Sequence, residues 1–236
     1  MNPDLEQYAE AHTTPELPVL AKLNRETHLT QVYPRMLAGH LQGTFLRMVA
    51  RMVRPRRILE IGTFTGYSTI CLALGLFDLT PDSSPENHLT PNPSPEGEGS
   101  NICGKLHTIE VNPEMESMIR RYLTEAGVEK QVVLHIGNAV DIIPKLDETW
   151  DLVYIDADKP NYLTYYKMVF DQLRSGGFIL ADNVLWNGKV VKEPLKHDKE
   201  TRGIVEFNEF VRNDDRVEQM ILPFRDGIML IRKLSN

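Results

Sequence analysis

The sequence predicts an α/β fold built on an open, doubly wound and mostly parallel sheet that closes with an antiparallel hairpin. Short apolar runs typical of buried strands alternate with longer segments of helical periodicity. Repeated βα units need right-handed crossovers, and these produce a parallel sheet covered by helices on both faces. Near the C-terminus, Asp226-Gly227 separates two further apolar runs and predicts a hairpin turn. We expect one domain over residues 1–236.

The elements follow one another in a regular order. An N-terminal helical segment covers residues 1–54, and its apolar stripe from Leu41 to Val53 is stopped by Pro55. Strands are predicted over residues 58–61, 106–109, 132–136, 152–155 and 178–181, with helices over 68–76, 115–123, 139–146, 162–173 and 200–212. The hairpin strands are expected over residues 217–222 and 228–232.

The segment between Asp78 and Gly104 differs in composition from its surroundings. Five of the 15 prolines lie between Pro81 and Pro95, among Ser, Asn, Glu and Gly. Such a stretch buries too little apolar area to offset the entropy lost on ordering. We interpret residues 79–103 as a flexible surface insertion, and a lid over a functional site is the alternative.

Composition and charge exclude several classes of protein. No apolar run reaches the roughly 18 residues of a membrane span, and 42% hydrophobic residues is ordinary for a globular domain. Two cysteines, Cys71 and Cys103, cannot form a disulfide framework, so a reducing cytoplasm is expected. The net charge of −7 argues against nucleic acid as the main partner, because phosphate binding needs clustered Lys and Arg.

Acidic residues stand at the carboxyl ends of four predicted strands. Glu60, Glu110, Asp156 and Asp182 each end an apolar run that should be buried. Open α/β sheets bind ligands outside the carboxyl ends of their strands. An unpaired carboxylate at each of these positions would be costly. The pattern therefore predicts one polar crevice at this edge of the sheet.

The first βα turn, Glu60 to Ser68, carries a pair of glycines. Gly62 and Gly66 allow the backbone to approach a ligand closely. Their spacing is not the G-x-G-x-x-G of a pyrophosphate binder, which disfavours a nicotinamide dehydrogenase. The preceding carboxylate suits a cation better than a diphosphate. Glu110 stands where an acidic residue binds ribose hydroxyls, and a helix cap is its alternative role.

A second group of polar residues follows the fourth and fifth strands. Asp156, Asp182 and Asn183 supply hard oxygen ligands, so Mg²⁺, Mn²⁺ or Ca²⁺ is favoured over zinc. Lys159 lies three residues after Asp156, close enough to contact a metal-bound substrate. The alternative is a structural turn in which Asp158 pairs with Lys159.

Four segments carry a resemblance to a known family. They are LEIGTFTGYS (59–68), YIDADKPNYLTYY (154–166), GGFILADNVLWNGKV (176–190) and PFRDGIMLIRK (223–233). Together they are similar to the cation-dependent class I O-methyltransferases, which include catechol and caffeoyl-coenzyme A O-methyltransferases and bacterial relatives. The resemblance covers about four-fifths of the chain, from Met36 onwards.

The resemblance implies a Rossmann-like methyltransferase sheet of seven strands in the order 3-2-1-4-5-7-6, and a homodimer. It implies S-adenosylmethionine as cofactor, bound by Met36, Glu60, Gly62, Thr63, Ser68, Glu110, Ala139 and Asp156. The metal ligands would be Asp156, Asp182 and Asn183, with Lys159 and Asp156 in catalysis and Trp186 beside the acceptor. The variable segment 192–201 lies in the region that shapes the acceptor pocket in this family.

The expected reaction is methyl transfer to one of two adjacent hydroxyls on a small aromatic acceptor. The cation would lower the pKa of one hydroxyl, and Lys159 would take or shepherd its proton. A second possibility keeps the cofactor and methylates a hydroxylated uridine in tRNA, with Arg47, Arg51 and Arg54 as basic contacts; the acidic net charge argues against it. A third is a regulatory module that binds a nucleotide without turnover.

Overall fold

A seven-stranded sheet forms the centre of the described structure, a computed structural model that covers residues 3–76 and 104–235. The predicted insertion, residues 79–103, lies outside the described residues. The strand order is β3-β2-β1-β4-β5-β7-β6, which confirms the order implied by the family resemblance. The first five strands run parallel, and β7 pairs antiparallel with both β5 and β6.

The strands begin and end close to their predicted positions. They are β1 (Arg57–Ile61), β2 (Lys105–Glu110), β3 (Val132–Ile136), β4 (Trp150–Ile155), β5 (Leu173–Asp182), β6 (Val217–Leu222) and β7 (Ile228–Lys233). The exception is β5, which begins five residues before the predicted residue 178. The prediction placed this strand after Gly176-Gly177, whereas the structure keeps both residues in a strand whose register shifts against β4 between Trp150 and Leu152.

Eight α-helices surround the sheet in the described residues. They are α1 (Pro3–Ala11), α2 (Pro18–Thr30), α3 (Gly39–Val53), α4 (Tyr67–Leu76), α5 (Glu116–Glu125), α6 (Ala139–Ile142), α7 (Tyr162–Gln172) and α8 (Lys199–Arg212). Helix α6 is shorter than predicted, because Pro144 lacks an amide hydrogen and the chain continues as a 3₁₀ turn, Ile143–Lys145. None of the described helices is both long and apolar enough to cross a membrane.

Two apolar layers cover the two faces of the sheet. On one face, Ile58 and Leu152 pack with residues of α2, α3, α4 and α5. On the other face, Leu59 and Val153 pack with residues of α6, α7 and α8. Side chains of neighbouring strand residues alternate between faces, so both layers draw on the same apolar runs. Burial on both sides explains why these runs are continuous rather than alternating in the sequence.

The register of the parallel strands aligns their carboxyl ends. Ile61 at the end of β1 is paired with Ile109 of β2 and with Ile155 of β4, and Ile155 is paired with Ala181 of β5. The acidic residues next to these positions therefore lie along one edge of the sheet, as the sequence predicts.

Candidate active site

The turn after β1 packs directly against the loop that follows β4. The amide of Gly62 donates a hydrogen bond to the main-chain oxygen of Ile109 at 3.0 Å. Gly62 has φ 99°, and a Cβ at this position would collide with the main-chain oxygen of Asp156. Only glycine fits both the backbone angle and the close approach. Gly62 therefore brings the two predicted polar clusters next to each other.

Glu60 is fully buried beneath this turn and is held by hydroxyl groups. Its Oε2 accepts hydrogen bonds from Thr108 Oγ1 at 2.6 Å and from Thr69 Oγ1, and the Ser68 hydroxyl also bonds the carboxyl group. Burial raises the pKa of Glu60 to about 7, against the effect of these hydroxyls. Its Oε1 is buried with no hydrogen-bond partner among the described residues. Burial therefore disfavours the charged form of Glu60, and the interpretation that this carboxylate suits a cation stays a prediction.

Glu110 at the end of β2 connects two loops through their main chains. Its Oε2 accepts from the amide of Phe64 at 2.7 Å, and its Oε1 accepts from the amide of Asn112 at 2.9 Å. Burial raises the pKa of Glu110, and the main-chain amides oppose that shift. The helix-cap alternative is not what the structure shows. Asn112 caps the following turn, by accepting from the amide of Glu114 at 3.0 Å.

Two further predicted cofactor residues lie in different surroundings. Ala139 is buried in the first turn of α6, where Asn138 caps the helix and the amide of Gly137 donates to the main-chain oxygen of Glu110 at 2.8 Å. The structure thus brings Ala139 to the Glu110 side of the edge. Met36 stands in a 3₁₀ turn before α3 with 58% of its surface exposed, so the structure does not pack it against the other residues.

Lys159 joins the residues of the second polar cluster to one another. Its ammonium donates to Asp156 Oδ1 at 3.2 Å, to Asn183 Oδ1 at 2.9 Å and to the Tyr162 hydroxyl at 2.6 Å. Lys159 is only 7% exposed. The alternative pairing of Lys159 with Asp158 is wrong, because Asp158 instead accepts from Asn161 and Tyr165 of the following turn and helix.

Asp182 is the most buried of the predicted metal ligands, with 3% of its surface exposed. Its Oδ2 accepts from Gln42 Nε2 at 2.6 Å and from the Tyr154 hydroxyl at 3.1 Å, while Oδ1 accepts from the amide of Asn183 at 2.7 Å. Burial, and then the charge of Asp156, raise the pKa of Asp182 to about 6. The two carboxylates therefore lie close enough to repel each other.

The loop after β5 turns sharply at Asn183 and Trp186. Both residues have left-handed backbones, with φ 58° and φ 47°. Non-glycine residues with positive φ are uncommon and occur often at functional sites. The turn places Asn183 Oδ1 on Lys159 and the Trp186 ring 5.7 Å from the Lys159 ammonium. Trp186 therefore lies beside the cluster, where the resemblance places the acceptor.

The chemistry of this cluster fits a hard divalent cation. Two carboxylates and an amide supply the oxygen ligands that Mg²⁺ and Ca²⁺ prefer. Two negative charges face one ammonium, which leaves a negative excess. Within residues 3–76 and 104–235, no group of three His, Cys, Asp or Glu side chains is arranged to hold a metal ion. A metal at this edge therefore depends on the amide oxygen of Asn183 as third ligand.

Sequence reasoning missed two residues that hold the cluster together. Tyr162 accepts from Lys159, donates to the main-chain oxygen of Asp182 at 2.9 Å, and is fully buried. Gln42 reaches Asp182 from α3, across 140 positions of the chain. A signal for Gln42 exists in the sequence. It shares the buried helical spacing of Leu46 and Val49, where a polar side chain needs a partner.

The mostly parallel sheet of seven strands, with its two polar clusters at one edge, has the architecture of a Rossmann-like methyltransferase. A family model described as "O-methyltransferase" matches residues 9–82 and 101–234. The unmatched residues 83–100 fall within the predicted insertion. The chain belongs to this O-methyltransferase family, and its enzyme class is that of the S-adenosylmethionine-dependent O-methyltransferases.

Individual relatives agree with this membership. Caffeoyl-CoA O-methyltransferase 1 of Arabidopsis thaliana is 32% identical over 244 residues, which cover 98% of this chain and 85% of the relative. The crystal structure of the O-methyltransferase TomG from Streptomyces achromogenes in complex with SAM is similar at a TM-score of 0.82 and 29% identity, over 98% of this chain and 96% of that chain. An O-methyltransferase from Bacillus cereus in complex with SAH is similar at a TM-score of 0.81 and 26% identity, over 98% and 97% of the two chains.

Proposed function

We propose that this enzyme transfers a methyl group from S-adenosylmethionine to one hydroxyl of a small aromatic acceptor that carries two adjacent hydroxyls, with a divalent cation bound beside the cofactor. The observation that carries the proposal is the close packing of Gly62 on the main chain of Asp156. This contact joins a glycine turn suited to the cofactor with a cluster suited to a cation and a proton acceptor.

The cofactor is assigned to the β1 and β2 half of the edge. Glu110 is assigned to the ribose hydroxyls, because its carboxylate is an acceptor fixed at the end of β2 by the amides of Phe64 and Asn112. Gly62 and Thr63 form the turn, and Ala139 lies near the Glu110 main chain. Met36, Glu60, Ser68 and Asp156 complete the proposed cofactor contacts.

The cation is assigned to Asp156, Asp182 and Asn183. When bound there, a divalent cation supplies Lewis-acid polarisation of a coordinated acceptor hydroxyl. Gln42 and Tyr154 fix the direction of the Asp182 carboxylate through their hydrogen bonds. Partners of this kind orient metal ligands in other proteins.

Lys159 takes or shepherds the proton of the reacting hydroxyl at Nζ. Tyr162 and Asn183 hold that nitrogen in place, and burial excludes water from it. The phenolate oxygen then bonds to the methyl carbon while the carbon–sulfur bond breaks, and sulfur keeps the electron pair. The products are the methyl ether and S-adenosylhomocysteine. Holding both reactants in line contributes most of the acceleration.

The acceptor class rests on two observations. The Trp186 ring offers a flat apolar surface beside Lys159, which suits an aromatic ring. The Arabidopsis thaliana relative reported above is named for caffeoyl-CoA, whose caffeoyl group is a dihydroxylated aromatic. The tRNA alternative and the regulatory module gain no support from these relatives, and we do not propose them. Homodimer formation stays a prediction.

The test is a methyl-transfer assay with labelled S-adenosylmethionine, on the purified full-length chain. We expect methylation of catechol and caffeate with Mg²⁺ and its loss with excess chelator. The matched control acceptor is phenol, which has one hydroxyl and cannot chelate. Full activity in chelator would refute the metal role, and equal methylation of phenol would refute the adjacent-hydroxyl requirement.

A further inference from the structure

The ammonium of Lys159 occupies oxygens that the proposed cation also needs. It bonds Asp156 Oδ1 and Asn183 Oδ1 at 3.2 and 2.9 Å. An ammonium nitrogen and a divalent cation both take lone pairs of carboxylate and amide oxygens. The Lys159 ammonium and a divalent cation from solution would therefore compete for these two oxygens.

The ligand positions do not depend on Lys159 alone. The amide of Asp156 donates to the main-chain oxygen of Ile61 at 2.9 Å, which fixes the backbone of that residue. Asp182 is held by Gln42 and Tyr154. The left-handed backbone of Asn183 is tied to Asp182 through its own amide. Removing the lysine charge should leave this ligand set in place.

The positive charge of Lys159 weakens the binding of a divalent cation to this cluster in two ways. Lys159 is the nearly buried cation between Asp156 and Asn183, and its side chain is 8% exposed, so its attraction for the carboxylates is poorly screened. A divalent cation that enters must displace its hydrogen bonds and then lie beside its positive charge. Both effects weaken the binding of the ion.

We propose that Lys159 acts as an internal counter-ion that competes with the divalent cation for Asp156 and Asn183 and so sets the affinity of the enzyme for the ion. The inference rests on the proposed metal binding by Asp156, Asp182 and Asn183. It assigns Lys159 a role in metal occupancy that is separate from proton transfer. At low cation concentration Lys159 would then hold Asp156 and Asn183 together. The ion would bind only above a concentration that the competition with Lys159 determines.

The experiment is a calorimetric titration of the chelator-treated full-length chain with Mg²⁺ and, separately, with Mn²⁺. Lys159→Met removes the charge and keeps an unbranched side chain that is one atom shorter. We expect the variant to bind both ions about tenfold more tightly, or better, than the unsubstituted protein. Thermal melting gives a second measurement. In chelator the variant should melt at a lower temperature, and added Mn²⁺ should raise its melting temperature by more than that of the unsubstituted protein.

The matched control is Lys189→Met. Lys189 also lies near the Trp186 ring, at 6.0 Å, but its ion pair is with Asp198. Its substitution should leave ion affinity unchanged. Lys159→Gln, which keeps a donor without the charge, serves if the Met variant does not fold, and it should show the same tightening.

The outcomes separate this inference from the proposed function. Equal or weaker ion binding by both Lys159 variants would overturn the competition and leave the metal site standing. If neither ion binds the unsubstituted protein or its variants at millimolar concentrations, the proposed metal site and the competition both fail.

Discussion

The two halves of the carboxyl edge hold their acidic side chains in different ways. In the β1 and β2 half, Glu60 is bonded by hydroxyls and Glu110 by main-chain amides, all of them neutral donors. In the β4 and β5 half, Asp182 also accepts from neutral donors, but Asp156 is bonded by the Lys159 ammonium. Burial and then the charge of Asp156 raise the pKa of Asp182.

This difference teaches which ligand each half suits. Neutral donors fix a carboxyl group without compensating a full charge, so burial raises the pKa of Glu60 to about 7. That half suits a ligand recognised through hydrogen bonds. The other half keeps two carboxylates near one ammonium, and its negative excess suits a cation. The predictions below test this division, beginning with the largest expected effect.

The first prediction concerns Lys159→Met. Turnover should fall by about 10²–10⁴-fold, the range for loss of a general base. The dissociation constant for S-adenosylmethionine should stay within about threefold, because most of the proposed cofactor contacts lie in the other half. Steady-state kinetics with excess cation and calorimetry with the cofactor measure the two quantities. Lys189→Met is the control and should change neither. Unchanged turnover would remove Lys159 as proton acceptor.

The second prediction compares one carboxyl group from each half. Asp182→Asn removes a charge from the cation cluster and should lower metal-dependent turnover by about 10²-fold or more. Glu60→Gln is the matched substitution in the other half. Its turnover and cofactor affinity should change by less than about fivefold, because hydroxyls can bond the amide oxygen as they bond the acid. Similar losses in the two variants would contradict the division.

The third prediction uses the raised pKa of Glu60. The pKa of Glu60 is about 7 in the folded chain, against a reference value of 4.5. Between these pH values the carboxyl group therefore binds more protons in the folded than in the unfolded chain. Its charged form therefore costs stability increasingly as pH rises from about 4.5 to 7. Glu60→Gln should gain stability relative to the unsubstituted protein over that range, by up to about 3 kcal/mol.

Urea unfolding of both proteins at pH 5 and at pH 8 measures this change. Thr63→Ser, a neutral substitution in the same turn, is the control and should show no such pH dependence. A constant difference between the Glu60→Gln variant and the unsubstituted protein at the two pH values would show that the pKa of Glu60 is not raised.

Much of the fold could be predicted from the sequence, because buried parallel strands leave continuous apolar runs. Ile58 to Ile61 is such a run, and both its position as a strand and the polar role of Glu60 could be predicted. The beginning of β5 could not be predicted, since Gly176-Gly177 has the composition of a turn yet lies within the strand. Local composition does not determine how a strand pairs with its neighbour.

The candidate site likewise contains residues that could be predicted from the sequence and residues that could not. Asp156, Lys159 and Asn183 lie at strand ends, where their spacing predicts proximity, and the structure brings them together. Gln42 and Tyr162 bond Asp182 from other elements of the fold; the buried helical position of Gln42 indicates that its side chain needs a partner, but not which one. The raised pKa of Glu60 likewise follows from its complete burial, which only the folded chain defines.

Gln42 has a practical consequence for anyone who engineers this enzyme. The side chain that steers Asp182 comes from α3, outside the repeated βα units that form the sheet. A shortened variant that begins at β1 would retain every strand and yet lose the amide that aims this carboxylate. Libraries intended to change ion preference should therefore diversify α3, where substitutions leave the strand-end side chains themselves untouched.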